Sequence, residues 1–203
     1  MAERRELALV LVGTVADIDT RRTQTADFIQ YAHLKLAVRV RVLRKLLAGD
    51  LHGEVFDFDD IICPLPVLER ARDALAHEAA LHAKAVRVVA LYARAHPALH
   101  DMPGWQGCLD DRLFATQRAD GALRHLRLAM SHTEATLDAV RVANASFLTQ
   151  SAAWTAWITE AVELARLATF NAGMALQEAK HMRRALLSEV FTTLRMVMLG
   201  LRG

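Results

Sequence analysis

Trp154-Thr-Ala-Trp-Ile-Thr-Glu-Ala-Val-Glu-Leu-Ala165 is the stretch from which the fold is read. Trp154, Ile158, Val162 and Ala165 return every three or four residues, the interval that brings side chains onto one face of an α-helix. The stretch lies inside a run from Leu109 to Gly203 that holds no proline, with only Gly121 and Gly173 in its interior. Apolar residues keep the same period before it, at Leu123, Leu126, Met130, Leu137, Val140 and Phe147, and after it, at Leu176, Leu186, Val190, Leu194 and Val197. A run of this length without a breaker must be mostly helix, yet one helix of that length exceeds the usual span in a globule. Breaks are therefore expected near Ser131-His132, near Asn144 to Ser151, and near Asn171-Ala172-Gly173.

Working outward, Leu7, Leu11, Val15 and Ile18 and then Ile29, Leu36, Val40, Leu43 and Leu47 carry helical spacing through the first segment. The polar stretch Asp19 to Thr25 either divides two helices or is a solvated turn of one, with Thr25 or Asp27 as candidate caps and Gly49 as the stop. Val38, Val40 and Val42 alternate with Arg39 and Arg41 as in a strand, but the flanking period favours helix. Residues 49–66 form a first loop, with Gly49, Gly53, Pro64 and Pro66. Its acidic run Asp57 to Asp60 would suit a helix amino terminus. Pro66 suits the first turn of a helix that runs to about Ala95 and buries Leu68, Ala71, Leu75, Ala79, His82, Val86, Val89 and Tyr92. A second loop spans residues 96–108, with Pro97, Pro103, Gly104 and Gly107. The expected architecture is all-α, a single-domain bundle over residues 1–203 of about five to seven helices, several of them long, packed up and down.

Composition agrees. Hydrophobic residues make up 53% of the 203 and charged residues 24%, which excludes a disordered chain. Four prolines and nine glycines leave few breaks. A net charge of +2 carries no specific nucleic-acid signal. Its distribution is uneven: basic over residues 1–50, acidic over 51–111 and basic again over 112–203, as in a bundle with complementary faces. Cys63 and Cys108 are too few for a disulfide framework. Glu3-Arg-Arg-Glu6 ahead of a short apolar stretch is no signal peptide, and apolar runs fall short of the ~20 residues that span a bilayer. The expectation is an intracellular, cytoplasmic protein, free or membrane-associated.

Catalytic chemistry is thinly represented. Glu178-Ala-Lys-His181 has the Glu-x-x-His spacing of di-iron carboxylate bundles, but no second copy accompanies it, and chance supplies a four-residue match often. His96, His100 and Cys108 could gather around zinc from a loop, though they lack paired spacing. No Gly-x-Ser-x-Gly elbow or phosphate-binding glycine loop is present. The chain reads as non-enzymatic and free of cofactors, with His82 a hydrogen-bonded core residue.

The strongest surface feature is Lys35-Leu-Ala-Val-Arg-Val-Arg-Val-Leu-Arg-Lys45. Its cations Lys35, Arg39, Arg41, Arg44 and Lys45 would suit an anionic membrane surface, a helix-binding groove or phosphate contacts, or would pair with the acidic residues of 54–78. Trp105, in the second loop, is either an exposed anchor for a partner or a plug at the end of the bundle. Trp154 and Trp157 read as core. The stretch from Val190 to Leu199 is either a central helix or a Met-rich contact surface.

The basic, apolar segment Leu7 to Leu47, the helix opening at Leu65-Pro-Val-Leu-Glu-Arg-Ala-Arg-Asp-Ala-Leu75 and the entry at Asp111-Arg-Leu-Phe-Ala-Thr-Gln-Arg-Ala-Asp-Gly-Ala-Leu123 together resemble a known layout. It is that of the four-helix executioner domains of the mixed-lineage-kinase-like necroptosis proteins and the fungal HeLo domains. The resemblance covers about the first 135 residues; a further helical ~65 follow, and these 203 residues do not include a kinase domain. It implies a bundle that binds anionic lipid through its basic helix and perturbs the membrane. The residues themselves point first to an adaptor, scaffold or effector that works by protein contact or self-association, and second to a peripheral membrane protein.

Overall fold

Alanine, leucine, arginine and glutamate lose little freedom in a helix, and few residues here oppose it. Among the described residues four α-helices result: α1 (Ala2–Ala48), α2 (Leu65–Ala95), α3 (Trp105–Ser146) and α4 (Ser151–Gly200), with a 3-10 turn over Pro97–Asp101 between α2 and α3. The structure is a computed structural model that describes residues 2–49, 64–146 and 151–200; Gly53, the acidic run Asp57 to Asp60, and Cys63 lie outside the described residues. Among the described residues there is no strand, so Val38 to Val42 is helix.

The four α-helices of the described residues are fewer than the five to seven expected. α1 passes through Asp19 to Thr25 without a break, and Thr25 is buried rather than capping. α3 continues through Ser131-His132, because the hydroxyls of Thr133 and Thr136 donate back to the carbonyls of Ala129 and His132 at 2.7 and 2.6 Å and need no interruption of the ladder. α4 continues through Asn171: its Nδ2 donates to the Leu167 carbonyl at 2.9 Å and its Oδ1 accepts from His125 Nδ1 at 2.9 Å. Gly173 marks a close approach rather than a break, since a Cβ there would stand 3.2 Å from Cε1 of His33. The expected stops at Gly49 and near Asn144 to Ser151 are present. Gly49 follows the end of α1 with φ +74°, the left-handed conformation that closes helices, and α3 ends at Ser146 before α4 starts at Ser151. Pro66 sits in the first turn of α2, where the Val67 and Leu68 amides bond the Pro64 carbonyl.

The buried positions alternate by three and four. In α2 they are Leu68, Ala71, Leu75, Glu78, His82, Ala85 and Val89; in α4, Ile158, Ala161, Ala165, Ala168, Ala172, Ala175, Ala179, Met182 and Leu186. This is a seven-residue repeat, the seam of long helices packed lengthwise. The seam takes Glu78 and Ala85 in place of the expected Ala79 and Val86, which are only part-buried. Most core positions are alanine, and small side chains let helix axes approach closely.

The chain divides into two compact units, each drawing on all four α-helices: Met1–Ala26, Asp73–Ala122 and Gln177–Gly203 in the first, Asp27–Arg72 and Leu123–Leu176 in the second. Within the first, Arg112 pairs with Glu189 and Arg118 with Glu178, so α3 and α4 are antiparallel. Glu78 pairs with Arg183 and His82 with Glu189, so α2 and α4 are parallel. Within the second, His125 meets Asn171, and His33 donates to the Thr169 carbonyl at 3.1 Å. Leu43 packs in one cluster with Ala139, Val140, Ala161, Val162 and Ala165. This is up-and-down order.

Candidate functional site

In the second unit, α1 turns its core face inward through Ile29, Ala32, Leu36, Arg39 and Leu43. The neighbouring face carries Ala37 and Val40, one turn apart, and runs beside α4 where Leu167 and Phe170 are likewise one turn apart. Between the two helices lies a groove of about 510 Å³, its lining completed by Glu163, Arg166 and Thr169. Phe170 is 62% exposed and Leu167 45% exposed, large apolar side chains that the core does not use. Among the described residues of this lining Glu163 is the one acid, and its carboxylate already accepts from Arg166 at 2.9 Å. Along α1 the same Ala37 and Val40 also floor a hollow of about 470 Å³ that ends at Arg41, Arg44 and Lys45. The two hollows share Ala37 and Val40, so the α1–α4 groove adjoins a cationic stretch at the carboxyl end of α1.

Of the five cations singled out in the sequence, four are exposed: Lys35, Arg41, Arg44 and Lys45. Arg39 is not, being 3% exposed at a core position. Lys35 lies over the Tyr31 ring, its Nζ 5.5 Å from the centroid, beside an exposed row of Tyr31, Leu34 and Val38. Trp105, the first residue of α3, lies inside the first unit at 6% exposure, packed with Val89, Ala93, Cys108 and Met196. It fills the core there rather than standing at an exposed edge. Ahead of it Gly104, at φ +93°, makes the turn into α3.

The metal-ligating residue types are dispersed. His96 lies tilted against Tyr92 and His100 meets the Trp105 ring edge-on, 4.3 and 5.0 Å between centroids. Glu178 receives both oxygens' worth of contact from Arg118 Nη1, at 3.0 Å each. His181 lines a shallow hollow of about 300 Å³ with Asp111, Phe114 and Arg184. Among the described residues no three of His, Cys, Asp or Glu stand together as a metal would require.

The seam of the first unit holds a buried charge network that hydropathy does not announce. Glu189 accepts from Arg112 Nε on one carboxylate oxygen and from His82 Nε2 on the other, both at 2.9 Å. One turn away Glu78, fully buried, accepts from Arg183 Nε at 3.2 Å. The Cys108 thiol lies 3.8 Å from the Glu189 carbonyl oxygen and 3.7 Å from the Thr193 hydroxyl. Burial pushes that thiol above its ordinary range, and the Thr193 hydroxyl opposes the shift. Two carboxylates facing two guanidiniums cancel in charge. His82 was legible on its apolar face; Glu78, Glu189 and Arg183 were missed. The signal that finds Glu78 and Glu189 is the unbroken three-four spacing, which passes through them as it passes through leucine.

No family model, curated protein or solved structure matches the chain.

Proposed function

We propose that this protein works by contact, as an adaptor or scaffold, and that the α1–α4 groove of its second unit is where a protein partner, or a second copy, is held. The observation that carries the reading is the pair Leu167 and Phe170, exposed beside an open groove. Large apolar side chains grouped at a concavity mark sites of association. The buried pairs around Glu189 support a non-enzymatic role, since they join helix to helix and specify how the helices meet. A photo-crosslinking amino acid at position 167 should yield a discrete adduct in cells, while the same residue at Leu128, exposed on α3, should not. Adducts from both positions, or from neither, would sink the reading.

A second reading rests on the outer row of α1, where exposed Tyr31, Leu34 and Val38 sit among Lys35, Arg41 and Lys45. Such a face suits an anionic membrane surface, as the resemblance to executioner bundles also implies. Binding would be peripheral on this reading, because no described helix is long and apolar enough to cross a membrane. Co-flotation with acidic but not neutral vesicles, weakened by salt and by neutralising Lys35, Arg41 and Lys45, is the expected result. Equal flotation with both vesicle types would count against it.

A further inference from the structure

The groove of the second unit has the geometry of a seat for one more helix. Its walls are two helices running antiparallel in one unit, and each offers apolar side chains at helical spacing: Ala37 and Val40 on α1, Leu167 and Phe170 on α4. An incoming helix can lay its own ridge between such rows, the ordinary mode of helix packing. From Glu163 to Phe170 the lining covers about two turns, or roughly 10 Å, of α4. A flat lipid surface cannot fill a concavity between two helices, whereas a side-chain ridge can.

Charge then narrows the occupant. At the carboxyl end of α1 the floor opens onto Arg41, Arg44 and Lys45, all exposed. The acid of the groove lining, Glu163, is engaged by Arg166 on its own helix. Among the described residues the excess at that end is positive, so carboxylates complement it and ammonium groups are repelled.

We propose that the groove receives an acidic amphipathic α-helix of a partner protein, its apolar stripe on Leu167 and Phe170 and its carboxylates on Arg41, Arg44 and Lys45. This rests on the contact reading above and names the class of partner.

The test uses the full chain and two synthetic helices of roughly five turns. Both carry leucine at i, i+3, i+4 and i+7; one carries glutamate on its remaining faces and the other lysine. Fluorescence anisotropy should show the glutamate peptide binding at least about tenfold tighter than the lysine peptide, with the gap closing at high salt. The triple change Arg41→Glu/Arg44→Glu/Lys45→Glu should invert the preference, an outcome that misfolding cannot produce. Phe170→Asp should weaken the glutamate peptide about tenfold while leaving the thermal melt in place, since Phe170 is exposed. Equal binding of the two peptides, or glutamate-peptide binding untouched by Phe170→Asp, overturns the inference. Binding to phosphatidylserine vesicles with no binding of either peptide overturns it in favour of the membrane. A crosslinked partner at position 167 with no peptide bound would leave the contact reading standing and remove this one alone.

Discussion

Glu189 presents one oxygen to Arg112 and the other to His82 at the centre of an apolar seam, so its loss leaves two donors facing nothing. Breaking a buried pair from one side costs about 3–5 kcal/mol, and Glu189→Ala should lose that much in denaturant unfolding. Replacing both members of the neighbouring pair, Glu78→Met with Arg183→Leu, should instead be neutral or stabilising by up to ~4 kcal/mol, because desolvation offsets most of the Coulomb gain. A double variant as damaged as either single one would show that the pair itself stabilises the fold. Cys108 adds a pH dependence. Its thiol is raised by burial, so the folded state holds the proton more tightly than the unfolded chain. The corresponding stability is fully present below the unfolded thiol's value and is lost as pH rises toward the folded one. Unfolding free energies at neutral and alkaline pH should therefore fall more steeply for the native chain than for Cys108→Ala, and parallel slopes would refute this. Histidine at position 82 was legible because it falls on the apolar face of α2. The carboxylates were not, since a hydropathy reading steps from charged Glu78 to apolar Ala79 although the three-four seam runs through the former.

Among the elements, α3 and α4 show why helix existence was readable and helix number was not. A proline-free run commits the backbone to helix, but polar clusters such as Ser131-His132 and Asn171 to Gly173 end a helix only when their side chains displace the backbone ladder. Here Asn171 spends one end on the Leu167 carbonyl and the other on His125, and the ladder continues. The glycines sort by what surrounds them. At Gly121, inside α3, the atoms nearest an added methyl belong to the Glu178 side chain, at ordinary contact distance, 3.5 Å. Gly121→Ala should raise stability by about 0.5–1 kcal/mol, the usual gain in a helix interior. Gly173→Ala should not show that gain, since the methyl would press on His33 at 3.2 Å and disturb its bond to Thr169. Circular-dichroism melts of the two variants side by side would decide it; equal stabilisation would mean that His33 moves freely.

For the molecule as a whole, the all-α architecture and the break between α2 and α3 were present in the sequence, and so was the cationic stretch of α1. The groove was not. Leu167 and Phe170 belong to a helix whose other face is core, and periodicity alone does not say which of two apolar rows faces inward. Only the placement of α1 beside α4 within the second unit turned Arg41, Arg44 and Lys45 from scattered cations into the neighbours of a groove. Leu167→Ser and Phe170→Ser should change unfolding free energy by no more than ~0.5 kcal/mol while abolishing partner capture at the groove. A large loss of stability would show that both side chains serve the core. The alanine seam of α4 bears on how this protein can change over time. At Ala161, Ala168, Ala172, Ala175 and Ala179 the neighbouring helices set an upper limit on volume while exerting little demand for greasiness. In a saturation library these sites should accept glycine and serine and reject leucine, the reverse of what an oily interior would select. The lineage of such a protein would drift in polarity along its seam while remaining almost frozen in size.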